Sequence, residues 1–229
     1  MELKNYTYIL LMAGTVLVPF ILSFEKSVEY YKKWKYLFPA IFLTGLFFIV
    51  WDVIFEKNGV WSFNPDYLMG IYLLNLPVEE WLFFIAVPFA CTFIYEVIKV
   101  RIPGFEKPVF FKYFTWLIIL VSVLLFVFHT EKHYTFYNFL FLAVYSLAVY
   151  LLKWFRPFYS KFYLAWIIGL IPFLAVNGIL TGMPVVEYNA MHNLGVRIIT
   201  IPVEDSGYYL LLFLMVISLY EYLSARKFY

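Results

Sequence analysis

Leu76-Pro77-Val78-Glu79-Glu80 and Ile201-Pro202-Val203-Glu204-Asp205 are two versions of one five-residue stretch. Each sets two adjacent carboxylates directly after a proline, at the start of a long apolar run. The prolines lie 125 residues apart. Applied without a gap, the same offset pairs Phe48 with Phe173, Asp52 with Asn177, Ile54 with Ile179 and Val60 with Val185. It goes on to pair Phe63 with Tyr188, Asn64 with Asn189, Gly70 with Gly195, and Tyr95-Glu96 with Tyr220-Glu221. Agreement that includes polar positions, over roughly 45 residues, points to a duplicated unit and not to shared apolar composition.

The 229 residues are 64% hydrophobic, 24% aromatic and only 14% charged, with a mean hydropathy of +0.82. Ordinary soluble domains carry about 25% charged residues, so this composition belongs to a polytopic membrane protein whose first partner is the lipid bilayer. A net charge of +2 gives no reason to expect nucleic acid, and a single cysteine, Cys91, excludes an internal disulfide. A helix needs about 20 mostly apolar residues to cross a bilayer. Seven stretches qualify: Tyr6 to Phe24, Tyr36 to Phe55, Val78 to Ile98, Tyr113 to Phe128, Thr135 to Leu152, Phe162 to Thr181 and Ser206 to Leu223. The expected fold is therefore an all-α membrane protein of seven transmembrane helices, its runs being too long for barrel strands. The first run is followed by six more and lacks a small-residue cleavage site, so it reads as a retained helix.

Connector charge supplies an orientation. Thirteen lysines and arginines fall in the connectors after spans 1, 3 and 5 and at the C-terminus; Lys4, Lys57, Lys132 and Arg197 fall on the other side. The positive-inside rule then puts the N-terminus outside and the C-terminus in the cytoplasm, in the cytoplasmic membrane. Spans 1–3 correspond to spans 5–7, and span 4, the shortest, is extra. This predicts a first repeat over 1–112, then a linking helix and a second repeat over 113–229. An offset of four spans is even, so the halves run parallel, about an axis along the membrane normal. The long connectors, 56–77 and 182–205, share the outer side with both carboxylate pairs. Aromatics and turn formers in 59–74 predict a segment at the interface or folded back into the bundle.

Glu79, Glu80, Glu204 and Asp205 are the first candidates for chemistry. Acids after a proline suit a helix start and its dipole, with Asn75 and Thr200 as caps. However, ionisable groups in a membrane domain face its interior and mark function. Two neighbouring acids in a desolvated site cannot both ionise easily, which leaves a proton to donate. Asp52, beside Trp51, reads as a further acid or as the anchor for Glu79 or Glu80; its neutral twin Asn177 implies divided labour. Trp51, Trp61, Phe63, Trp81, Phe84, Tyr188 and Tyr208 read either as an interfacial belt or, with Asn64 and Asn189, as the wall of a greasy pocket. Aromatic faces there stabilise a cation by about 0.5–2 kcal/mol each. His129 and His133 read as a hydrated helix end and not as a metal site, and Arg197 as a headgroup residue or a partner for one acid. No Gly-x-Gly-x-x-Gly, phosphate-binding loop or nucleophile elbow occurs, and no lysine lies in the seventh span to form a retinal Schiff base.

Pro77-Val78-Glu79-Glu80 and Pro202-Val203-Glu204-Asp205, with Trp51-Asp52, the Gly59-to-Pro65 stretch and seven spans, resemble the membrane-integral lycopene cyclase domain family. Its pattern, Pro-x-Glu-(Glu/Asp), occurs once per half. The family occurs as two small subunits, as one fused chain, and as the N-terminal part of a fungal bifunctional protein with phytoene synthase; this chain resembles the fused tandem form over nearly its whole length. The second half lacks the Trp-Asp and Asn-Pro pairs. The resemblance implies an intramolecular lyase or isomerase of carotenoid biosynthesis, converting ψ ends of lycopene or a related acyclic carotene into β rings without net redox change. It needs no cofactor and no metal. Glu79 and Glu204 would form the acid–base core, Glu80 and Asp205 would tune them, and Asp52 would assist. The alternatives are a proton-coupled transporter, which needs a polar path that spans 2, 3, 6 and 7 do not offer, and a carotenoid-binding protein. A homo-oligomer, or association with other carotenoid enzymes, stays open.

Overall fold

The computed structural model describes residues 2–226. Its helices are α1 Thr7–Leu22, α2 Trp34–Lys57, α3 Val78–Arg101, α4 Pro108–Phe128, α5 His133–Leu152, α6 Tyr159–Gly182 and α7 Glu204–Ala225. All seven belong to stretches long and apolar enough to cross a membrane, and a helix closes its own backbone hydrogen bonds, as lipid demands. Most helix ends lie a few residues from their expected positions, and two of the shifts bear on the site and its setting. α4 starts at Pro108 and has 21 residues against 16 in α1, so it is not the shortest; proline suits a first helical position. α7 starts at Glu204, which brings both of its acids into the first turn.

α3 and α7 form the centre. Two thirds of the apolar window of each is buried (67%), against 11% in α1. α1 packs on α3 and α5 on α7, while α2 and α6 each touch both central helices. α4 lies outside, against α5 and α6. Side chains such as Phe42, Leu117 and Ile171 face outward, the arrangement a lipid solvent favours. Buried polar pairs tie helix to helix: Thr115 to Tyr163 at 2.8 Å and Tyr145 to Ser218 at 2.7 Å. At the ends of α3 and α7 remote from the long connectors, Lys99 Nζ lies 2.9 Å from Glu96 and 2.8 Å from Glu221, and the Tyr95 hydroxyl donates to Glu221 at 2.7 Å. One cation thus serves two buried carboxylates and pins the central pair together.

The long connectors cover the other end. β1 (Trp61–Phe63) pairs antiparallel with β4 (Val186–Tyr188), in the register Trp61 to Tyr188, Ser62 to Glu187 and Phe63 to Val186. That register is reciprocal: shifted by 125 residues, the two outer pairs exchange and the central pair maps onto itself. Two small hairpins follow, β2 (Tyr72–Leu73) with β3 (Leu76–Pro77), and β5 (Arg197–Ile198) with β6 (Ile201–Pro202). Gly70 and Gly195 both take φ +77°, a left-handed turn that suits glycine. These strands occupy the residues just before α3 and α7, so Asn75 and Thr200 do not act as caps. The Asn75 amide donates to the Val53 carbonyl at 2.9 Å, and Thr200 bonds Thr181 at 2.7 Å.

Candidate active site

The first turns of α3 and α7 sort each acidic pair into two roles. Glu79 Oε1 accepts from the Met69 amide at 2.8 Å, and Glu204 Oε1 accepts from the Leu194 amide at 2.6 Å. The glycine after each of those amides reverses the connector, which is why the amide points back at the helix. Thr135 adds a bond to Glu204 at 2.7 Å, and the Asn138 amide donates to the Glu204 carbonyl at 2.6 Å. Both glutamates are fully buried. These bonds fasten the connectors to the bundle; Glu79 and Glu204, expected as the acid–base core, are not among the side chains lining the central cavity, and the second carboxyl oxygen of each is buried without a hydrogen-bond partner. One residue further on, the side chain rotates by about 100° around the helix, and Glu80 and Asp205 face that cavity instead.

The cavity lies under the β1–β4 pair, between the halves. Asp52 and Asn177 reach it from α2 and α6, Tyr8 and Tyr134 from α1 and α5, and Tyr208 from α7. Trp61, Phe63 and Tyr188 roof it, while Phe83 and Phe173 close its sides. Its volume is about 40 Å³, room for about three or four waters at ~10–15 Å³ each. Asp52, Glu80 and Asp205 are at most 7% exposed.

Three carboxyls share this space under different conditions. Tyr8 donates to Glu80 Oε2 at 2.6 Å and Tyr208 to Asp52 Oδ1 at 2.9 Å. The Asp52 and Glu80 carboxyls are neighbours on the wall of this one cavity. Asp205 instead meets donors only: the Tyr134 hydroxyl at 2.6 Å, the Asn177 amide at 2.9 Å and the Tyr188 hydroxyl at 3.0 Å. In the connector, burial and then the Asp205 carboxylate push the Tyr188 phenol well above its usual range, which keeps it a donor.

Other predicted residues lie around this centre. Trp51 stacks behind it on Phe48 (5.6 Å) and lies tilted against Tyr208 (5.1 Å), and Phe84 stacks on Phe48 (5.7 Å). Trp81 is partly exposed and bonds the Leu73 carbonyl at 3.3 Å. Asn64 and Asn189 each accept an amide of their own connector at 3.0 Å. These five do not reach the cavity. His129 bonds its own helix at Leu125, His133 stacks on His192 at 4.8 Å, and Arg197 bonds the Thr200 carbonyl at 2.6 Å. Tyr8 and Tyr134 escaped the sequence reading for a definite reason. They correspond at 126 residues, not 125, so an ungapped comparison sets Tyr8 against His133.

A family model described as lycopene cyclase matches the chain twice, over residues 5–98 and 131–223. All the cavity-lining side chains named above fall within those two segments, and α4 falls between them. Comparison with curated proteins and with solved structures finds no match.

Proposed function

Because the chain belongs to the lycopene cyclase family, we propose that it closes the ψ ends of an acyclic carotene into β rings, with Asp52 and Glu80 as the proton-donating pair and Asp205 as the base. The observation that carries this reading is the unequal partnering of three buried carboxyls around one cavity. Two neighbouring carboxyls buried in one desolvated cavity do not both ionise easily, so Asp52 and Glu80 keep a proton between them. Asp205, surrounded by three donors, is matched to an ionised acceptor. The Asp52/Asn177 difference thus separates acid from base.

The step balances without a redox partner. A proton from the Asp52–Glu80 pair adds to the terminal double bond and leaves a tertiary cation. The next double bond along the chain attacks it and closes a six-membered ring, moving the positive charge onto the ring. Loss of the proton from the ring-closing carbon to Asp205 gives the β double bond. Water in the cavity then carries that proton back to the pair. Tyr208, Trp61 and Phe83 present rings to the charge, each worth about 0.5–2 kcal/mol. General acid–base groups so placed contribute about 10²–10⁴-fold.

The remaining assignments follow the same reading. The two matched segments are parallel copies about an axis along the membrane normal, with α4 as the link and the repeats divided near residue 112. The lysine-rich ends of the helices face the cytoplasm and the cavity lies near the outer surface of the cytoplasmic membrane. Expression of the chain in lycopene-accumulating cells tests the function. Monocyclic γ-carotene followed by β-carotene is the expected product pattern, and Glu80→Gln removes it. Unchanged lycopene with correctly inserted wild-type protein refutes the reading.

A further inference from the structure

A lipid-facing groove of about 480 Å³ runs between α1, α3 and α6, within the roughly 300–1,000 Å³ of ligand pockets. Leu11, Thr15, Val87, Ala90, Cys91 and Val176 line it. Its polar atoms are already occupied: Thr15 donates to the Leu11 carbonyl at 2.9 Å, and Cys91 Sγ takes the Tyr209 hydroxyl at 3.3 Å. The wall toward the bundle centre is Phe173, which also lines the acid cavity. Groove and acid cavity thus share the Phe173 ring as a wall. Phe173 stacks on Tyr209 at 4.3 Å and 13°, and the Tyr209 hydroxyl fits only because Gly169 has no Cβ.

The equivalent groove under the repeat, about 580 Å³ between α2 and α5, shares no lining residue with the acid cavity and is sealed from it. Trp51 occupies the position equivalent to Val176, and Phe141 the position equivalent to Thr15, by the shift that relates Tyr134 to Tyr8. Trp51 packs on Phe141 at 5.1 Å, Phe55 at 5.5 Å and Phe48 at 5.6 Å, a plug of rings between that groove and the acids.

We propose that the α1–α3–α6 groove holds the polyene chain of the acyclic carotene while its ψ end passes Phe173 into the acid cavity. This rests on the cyclase reading and extends it to the substrate's path. At about 40 Å³ the cavity is far smaller than the roughly 300–1,000 Å³ of ligand pockets; swinging Phe173 aside joins the cavity to the groove. The occupant is a hydrocarbon without a headgroup. The α3 part of the lining, Val87 to Ile94, begins on the order of 13 Å below the start of that helix at 1.5 Å per residue. Among the described residues, no unpaired polar side chain lines the groove to meet a phosphate.

The test uses the full chain in liposomes, with lycopene binding followed by the change in polyene absorption and turnover followed by pigment analysis. Val176→Trp rebuilds the plug of the sealed groove; Ala90→Phe fills the open groove from α3 and serves where the first variant does not fold. Lycopene affinity and kcat/KM are expected to fall at least tenfold in both, the latter through KM. Val50→Trp, on the sealed groove, stays within twofold of wild type. Wild-type affinity in a folded groove variant overturns the proposal, as does an equal loss in Val50→Trp. Wild-type protein that binds the polyene in a groove-dependent way yet forms no ring leaves the groove standing and refutes the cyclase reading.

Discussion

Replacing Asn177 by aspartate alters the cavity by one functional group and leaves its shape alone. In the native protein the Asn177 amide donates to Asp205 Oδ2 at 2.9 Å, the second of three donors around that carboxylate. In Asn177→Asp the donor is lost and an acceptor faces Asp205, so the two share a proton and the cavity holds two donor pairs with no dedicated base. Asp52→Asn has the opposite effect: Glu80 gains an amide donor, and no proton-sharing pair remains. Each change removes one member of an acid–base couple worth about 10²–10⁴-fold, that is ~2.7–5.5 kcal/mol of barrier at 1.36 kcal/mol per decade. The double exchange restores one pair and one fully donated carboxylate, in swapped halves. It is expected to regain at least tenfold over the weaker single variant, a coupling that two independent losses cannot give. Initial rates of lycopene loss in proteoliposomes, at matched folded protein, read all four forms. Single variants within twofold of wild type, or a double variant as poor as the product of the two single losses, refute the division of labour.

Three further outcomes follow from contacts away from the reaction. Glu204→Ala leaves the Leu194 amide and the Thr135 hydroxyl without their acceptor, at about 1–3 kcal/mol per stranded group; thermal unfolding in detergent should show a lower midpoint, whereas Glu80→Gln should lose turnover with a smaller change in midpoint. Gly169→Ala forces a Cβ onto the Tyr209 hydroxyl, an overpacking of about 1–3 kcal/mol, and Tyr209→Phe in the same chain should recover part of the lost midpoint. Burial and then the neighbouring His133 hold the His192 pKa below its ordinary 6.5, so the unfolded chain takes up a proton that the folded one resists. Stability from this site is complete above the unfolded pKa and is lost as pH falls through the folded one. Midpoints recorded from about pH 8 to about pH 5 should therefore drop less in His192→Gln.

Seven helices were legible because spanning a bilayer demands length and apolarity together, a pattern that few other structures imitate. The 125-residue offset located the connectors and both acidic pairs for a related reason: glycines at left-handed turns and acids at helix starts are constrained in type as well as in polarity. Which acid of each pair faces inward was not legible. Adjacent residues on a helix differ by about 100° in direction, and only the position of Met69 and Leu194 in the folded connectors shows that Glu79 and Glu204 are taken up there. The tyrosine donors were hidden by the one-residue shift between α1 and α5. The placement of Trp51 depends on packing across halves, because it lies against Tyr208 of α7, a neighbour that no spacing along the chain predicts.

The reciprocal ladder of Trp61–Phe63 with Val186–Tyr188 is the seam that two identical subunits would make about a two-fold axis. Identical subunits are obliged to carry the same side chain on both sides of such a seam, so a symmetric pair would hold two aspartates facing two acids, or two asparagines, and never one of each. Covalent fusion lifts that obligation. It lets one flank keep a carboxyl and the other an amide, one flank a tryptophan wall and the other a valine, and so gives a two-fold framework a front and a back.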